Sequence, residues 1–527
     1  MRISTSMIYD IGVASMQQSR GNQIKLQEQL SSGLRVLTPS DDPVAAAAAL
    51  DIKQSQALNS QLNTNGDSAK SLLIMEESAL ADATALLQDV KTFAVYAGNP
   101  TLTNSDRASI ATELNSRYRE LLGIANRGDG NGQYLFSGYQ GATKPFSETG
   151  PGKVAYAGDS GQRLTQIGTV RTIAVNDSGD SIFRAIKNGN GIFATAGAAA
   201  NTGGGIIDTG IVTDPSKWNS AANPRDFTIR FSQNMDLTAG ATNAGDATAV
   251  GGVVNQTQWD AGSEDYTIVF NTPPNTYNIK DTATGVVVQS GGAYSSGATI
   301  SFMGAEVVIT DGPGLVGPAA GDTFRFVPSV PPGLSYDIID NVNNVSLLTG
   351  AAPGAAPYLR TYVPGGTISL ATQSPPDTNA TPFDFGATVA VSGAVASGDT
   401  FMVKASTNQD IFSMLQGLIT ALQTGTSASP ASVAAYQDSL NAAMSYFDNA
   451  LSNVLRVRAD VGTRLREVGT AQSTSEGLSL QYSTTLSGLQ DLDYAKAASD
   501  LSMQQVYLQA AQQSFMKITS LNLFSLL

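Results

Sequence analysis

Between Leu489 and Leu527 the apolar residues recur by sevens. Tyr494, Leu501, Leu508 and Phe515 fall in one row, and Ala497, Gln504, Ala511 and Ile518 in the row three positions on. That spacing predicts an a/d seam along one long helix, about 58 Å end to end at about 1.5 Å per residue. Neither Gly nor Pro interrupts it, and it closes on Leu521, Leu523, Phe524, Leu526 and Leu527. Its flanks are Gln, Ser and Ala, where a solvated coiled coil would carry Glu and Lys. So thin a stripe does not hold a lone helix in water, because nucleation is costly and packing supplies most helical stability. The tail needs a partner, either its own domain or a neighbouring subunit. Residues 1–37 share this character: Ile3, Met7, Ile11 and Ala14 lie at helical spacing, with polar Gln, Ser and Asn sequence following.

Thr38-Pro39-Ser40-Asp41-Asp42-Pro43 then punctuates the chain. Asp42 is placed as an N-cap and Pro43 at the first helical position, where its missing N–H does no harm. The pattern predicts a helix from Pro43 to about Asn63. A second runs from Asp67 to Ala97, its stripe of Ala69, Leu73, Leu80, Ala83, Leu87, Val90, Ala94 and Ala97 broken only by Glu76. A third spans Ser105 to Asn126, with Ile110, Leu114, Tyr118, Leu121 and Ala125 on one face. From about Gln133 to Val403 short alternating runs between Gly, Pro, Asn and Asp predict antiparallel strands. Gly321-Asp322-Thr323-Phe324-Arg325-Phe326 is echoed by Gly398-Asp399-Thr400-Phe401-Met402-Val403, which suggests two related β units. Helix returns near Asn408 (Ile411, Met414, Leu415, Leu418, Ile419, Leu422). It continues along a stripe of Tyr436, Leu440, Ala443, Phe447, Leu451, Val454, Leu455, Val461 and Leu465.

The expected fold is α+β and multidomain. The terminal helices form an α-helical bundle or coiled-coil rod, with a central, mainly antiparallel β insertion. The boundaries read as a terminal assembly helix over 1–37 that is disordered in the monomer, and a helical rod domain built from 38–180 and 406–480. A β-rich insertion of one or two subdomains covers 181–405, and a second assembly helix 481–527. Neither half of the rod buries its stripe alone, so the two halves must fold together.

Composition narrows the function. A net charge of −14 argues against nucleic acid and against an anionic membrane surface. With neither Cys nor His, thiol chemistry, Cys/His zinc sites and His-based proton transfer are excluded. No Asp-x-Asp-x-Asp-Gly loop suggests a calcium site, and no constellation of carboxylates or Ser/Lys suggests catalysis. The expectation is no enzyme, no cofactor and no metal. The N-terminal stretch lacks the apolar core and cleavage site of a secretory signal, and no apolar run approaches the length of a membrane span.

Several of these residues carry a resemblance. Ser32-Gly33-Leu34-Arg35 with Asp41-Asp42-Pro43 is similar to the N-terminal signature of the flagellin superfamily. Arg456-Val457-Arg458-Ala459-Asp460-Val461-Gly462-Thr463-Arg464-Leu465 and Asp491-Leu492-Asp493-Tyr494-Ala495 are similar to its C-terminal one. The opening Met1-Arg2-Ile3-Ser4-Thr5, and Gly132-Gln133-Tyr134-Leu135-Phe136-Ser137-Gly138-Tyr139, resemble the hook-associated junction proteins of that superfamily more than filament flagellin.

The resemblance implies a structural protein of the bacterial flagellum, outside the cell at the hook–filament junction. Its partners would be the first hook-associated junction protein, flagellin and further copies of itself. Export would run through the flagellar type III apparatus with a cytoplasmic chaperone. The residues expected to carry assembly are Ile3, Met7 and Ile11 at one end and Leu501, Leu508, Phe515 and Ile518 at the other. Each could instead be an ordinary contact within one chain. The basic run Arg456, Arg458, Arg464 and Arg466 reads as cross-subunit pairing or as a solvated face. Filament flagellin is the nearest alternative. A secreted β-rich adhesin is the alternative from another class, with Trp218, Trp259, Tyr277 and Tyr294 as its few aromatic candidates.

Overall fold

A computed structural model describes residues 5–271, 276–314, 316–329, 333–352 and 358–524. Its helices are α1 (Thr5–Ser32), α2 (Pro43–Ala97), α3 (Asn104–Ala125), the short α4 (Pro215–Trp218) and α5 (Gln256–Asp260), α6 (Ile411–Thr424), α7 (Pro430–Gln490) and α8 (Tyr494–Phe524). The chain divides into two compact units. One comprises Met1–Ile74, Arg163–Val175 and Gly462–Leu527, the other Met75–Gln162 and Asn176–Val461.

Within the first unit, the early turns of α2 lie against the late turns of α7. Asn59 and Ser475 are both buried and answer each other, Asn59 Nδ2 donating to the Ser475 carbonyl at 2.7 Å and Ser475 Oγ to Asn59 Oδ1 at 2.9 Å. A hairpin of strands Leu164–Gly168 and Arg171–Ala174 joins them, Asn65 Nδ2 reaching the Gln166 carbonyl at 3.0 Å. These contacts explain a departure from the sequence pattern, which divides α2 at Asn63-Thr64-Asn65-Gly66. The helix runs through unbroken. Asn and Gly there cost about 1 kcal/mol or less each in propensity, which tertiary bonds such as Gln472 Nε2 to Asp67 Oδ1 (2.6 Å) outweigh.

The tail departs in the other direction. The seam predicts helix from Leu489 onward, but α7 ends at Gln490 and α8 starts at Tyr494. Asp493 caps the new helix, its Oδ1 accepting the Lys496 N–H at 3.0 Å, and the Leu492 N–H leaves the helical ladder for the Gly33 carbonyl.

In the second unit the helical stripes are buried as spaced. Leu80, Ala83, Leu87, Val90, Ala94 and Ala97 of α2 and Ile110, Leu114, Tyr118, Leu121 and Ala125 of α3 are all buried. Glu76, the break in the α2 stripe, is buried too and accepts the Asp177 N–H at 2.9 Å. Phe146 and Phe183 meet edge-on at 5.7 Å, and Phe412 of α6 approaches Phe146 at 5.4 Å. On α7 the buried row is Phe447, Ala450, Val454, Val457 and Val461. Leu455 falls one position round from that row and is exposed, contrary to its place in the sequence stripe.

The β region is built on one strand, Asp226–Ala239. Along one side its first half pairs with Leu334–Asp340 and its second half with Thr323–Pro328. Along the other, Thr400–Ala405 and the end of Thr248–Val253 take up the pairing. Alternation puts Phe227, Ile229 and Phe231 into a core with Trp218, Tyr336, Ile338, Phe401 and Val403. Met235, at the other end, enters a separate core with Trp259, Tyr266, Ile268, Phe302, Phe324 and Phe326.

The sequence echo corresponds to one turn used in each core. The buried Asp322 accepts the N–H groups of Ala319, Ala244 and Gly245. The buried Asp399 does the same for Ala396, Thr202 and Gly203. Trp218, Trp259 and Tyr277 are core residues and Tyr294 is half-buried. None of these four is therefore the exposed aromatic that the adhesin reading asks of it.

Candidate assembly surface at the joined termini

α1 and α8 lie side by side in the first unit, running antiparallel. Tyr9 meets Phe515 with ring centroids 5.0 Å apart, and Gly33 meets Tyr494 at the other end. Leu501, Gln504, Leu508, Ala511 and Phe515 of α8 are half-buried, with Asp500 beside them, and Ala497 is buried. These are the heptad positions of the sequence from Ala497 to Phe515, and they face α1, whereas Tyr494 at the head of the row is 57% exposed. The matching seam on α1 is Gly12, Met16, Ser19, Gln23, Leu26 and Leu30, all half-buried and stepping by four and three. Small and polar residues fill much of it, and they let the helices approach closely. A Cβ on Gly12 would stand 2.9 Å from Phe515 Cδ2.

The residues expected to carry assembly therefore separate into two sets. Leu501, Leu508 and Phe515 line the contact between the two helices of one chain. Met7 and Ile11 are not on that seam: they are 55% and 58% exposed. Ile3 lies outside the described residues, as does the side chain of Ile518. Ile24 on α1 and Met503, Val506, Tyr507 and Met516 on α8 are also exposed. An apolar-only reading missed the α1 seam because Gly12, Ser19 and Gln23 are not apolar. The signal was their 4–3 spacing.

Two chain reversals meet at the base of this pair. The Arg35 N–H donates to the Gln490 carbonyl at 2.7 Å, and the Leu492 N–H to the Gly33 carbonyl at 2.9 Å. Arg35 Nη2 reaches the Leu489 carbonyl at 2.8 Å, while Nη1 reaches Asp42 Oδ2 at 3.2 Å. Asp42 Oδ1 accepts the Ala45 N–H at 3.0 Å, with Pro43 opening α2. Hydrogen bonds from Ala45 and Arg35 hold the Asp42 carboxyl below the usual carboxylate range. Next to it, Asp41 pairs with Lys25 at 2.7 Å and accepts the N–H groups of Leu37 and Thr38. The Lys25 hydrogen bond and the Thr38 N–H bring the Asp41 pKa down to about 2.

Two members of the basic run are paired within the second unit. Arg458 pairs with Glu77 at 2.7 Å and Arg456 with Asp460 at 3.4 Å. Among the described residues, no helix is long and apolar enough to cross a membrane, and no three carboxylates gather as a metal ion would require.

Residues 3–141 match the model of the bacterial flagellin N-terminal helical region. Over 202 residues the chain is 39% identical to flagellar hook-associated protein 3 of Escherichia coli (strain K12), an alignment covering 38% of this chain and 62% of that protein. Over 188 residues it is 40% identical to flagellar hook-associated protein 3 of Salmonella typhimurium, covering 36% of this chain and 58% of that protein. The chain thus spans less than two thirds of the length of these relatives. The crystal structure of the flagellar junction protein FlgL from Legionella pneumophila is similar at a TM-score of 0.48 and 24% identity, over 84% of this chain and 100% of that one.

Proposed function

We propose that this chain, which carries a flagellin N-terminal helical region over residues 3–141, is a structural subunit of the bacterial flagellum that joins hook to filament. The observation that carries the reading is the α1–α8 pair. Its inner seam mixes small and polar residues with a few large apolar ones, and further large apolar side chains such as Ile11, Ile24, Val506 and Tyr507 stand on its outside. Exposed apolar surface on a thin helix pair is stabilised by burial against further copies, at roughly 25 cal/mol per Å² removed from water. The pair is marginal enough to open in the free subunit and close on assembly, which places the ordering cost at the assembly step. On this reading the neighbours are the first hook-associated protein below, flagellin above and identical subunits around a ring. The chain reaches them by type III export with a chaperone and works outside the cell. It needs neither cofactor nor catalysis.

Deleting the gene tests this. The deletion strain should build hooks without filaments and shed flagellin into the medium, and the full chain should restore filaments seen by electron microscopy. Filaments of normal length without the chain would overturn the junction role. Loss of filaments with no flagellin in the medium would instead identify the chain as the filament subunit.

A further inference from the structure

We infer that Arg35 is a positioning residue that brings the two terminal helices into register, so that α1 and α8 are held together or not at all. The last four carbonyls of a helix lack intrahelical partners. Arg35 alone satisfies two of them on α7, Gln490 through its N–H and Leu489 through Nη2. The other arm of the same guanidinium holds Asp42, the residue that caps α2. One side chain thereby ties the end of α7 to the start of α2. This fixes where α1 leaves the body and where α8 begins.

The register of the pair follows from that point. Gly33 faces Tyr494 across the clasp, and Gly12 faces Phe515 near the far end. Each step along α1 is matched by one step back along α8, which places Ser19 opposite Leu508 in the seam. Gly33 makes the closure sterically possible. Its φ is +74°, and a Cβ there would lie 2.7 Å from Tyr494 Oη. Neither reversal has this geometry without the other, because each supplies the acceptor for the other's backbone N–H.

The fork shape of guanidinium is essential, since an ammonium is a point charge that cannot span a carbonyl and a carboxylate in the same way. This coupling belongs to the free chain, so its failure would leave the junction reading untouched.

The absence of Cys makes the test clean. Ser19→Cys and Leu508→Cys are introduced together in the full chain, and the rate of disulfide formation under a fixed glutathione buffer reports how often the seam closes in register. Adding Arg35→Ala should slow that rate at least tenfold, and Arg35→Lys should slow it similarly. Trp218 and Trp259 fluorescence should show both β cores intact throughout. An unchanged rate in Arg35→Ala would overturn the proposal, because a residue that only caps α7 does not alter a seam several turns away. A full rate in Arg35→Lys would overturn the bridging role of the guanidinium.

Discussion

Gly33 and Asp438 show how single positions set limits on this chain. At Gly33 an alanine would meet both a left-handed backbone and the Tyr494 hydroxyl. Gly33→Ala should destabilise the clasp by about 1–2 kcal/mol. The check is limited proteolysis with trypsin, in which cleavage after Arg20 and Lys25 of α1 should accelerate. Asp438 sits on α7 beside a cavity of about 450 Å³ and accepts the Ile207 N–H at 3.2 Å. Burial pushes its pKa up to about 6, and Asp337, held by Ser346 and the Ile338 N–H, is pushed to about 6 by the same cause. Both folded-state values lie above the ordinary 3.8. The stability these carboxyls contribute is whole below pH 3.8 and is lost as pH rises through about 6. Urea denaturation followed at Trp218 should show lower stability at pH 8 than at pH 5.5. Asp438→Asn should recover on the order of 1 kcal/mol of the difference. Neither carboxyl was legible in the sequence, because burial comes from segments far along the chain, as with Asp177 over Glu76.

At the scale of elements, periodicity located the helices and misjudged their ends. The α2 stripe is buried because one seven-residue spacing continues across Gly66, and the weak formers there could not end a helix held by Asn59, Asn65 and Asp67. The break between α7 and α8 was hidden because the Leu492 N–H answers to Gly33, which no local pattern encodes. The α8 seam was legible as a heptad, but its partner seam was not, because Gly12, Ser19 and Gln23 interrupt the apolar row of Met16, Leu26 and Leu30. α7 offers a further test, since Gly469 and Gly477 have open space where a Cβ would go. Replacing both with alanine should raise the stability of the free subunit by about 1–2 kcal/mol in total, measured as a higher midpoint in thermal unfolding followed by circular dichroism.

Across the whole molecule, the second β core is an insertion into a hairpin of the first. Every side chain of that core, from Met235 to Phe326, lies between positions 235 and 332, and none of the first core does. Gln233 and Leu334 are cross-strand partners, and the Asn234 N–H already donates to the Gly333 carbonyl at 2.8 Å. Removing residues 235–332 joins Asn234 to Gly333, and Asn-Gly is the connection a two-residue hairpin favours. The shortened chain should fold with Trp218 still buried, its fluorescence maximum unchanged and its urea midpoint close to that of the full chain. A Trp218 spectrum shifted to that of a solvated indole would mean the two cores depend on each other. The echoed Gly-Asp turns hinted at two β units. Their nesting was not legible, because it rests on one strand serving both cores.

The clasp also sets a schedule. Arg35 and its acceptor Leu489 are 454 positions apart. At roughly 5–20 residues per second, a ribosome takes on the order of half a minute to a minute and a half to make the second after the first. For that interval α1 has emerged while the helix it pairs with does not yet exist. The early chain is therefore open to capture by whatever binds a lone, weakly amphipathic helix, and that window closes only when Leu489 and α8 have been made.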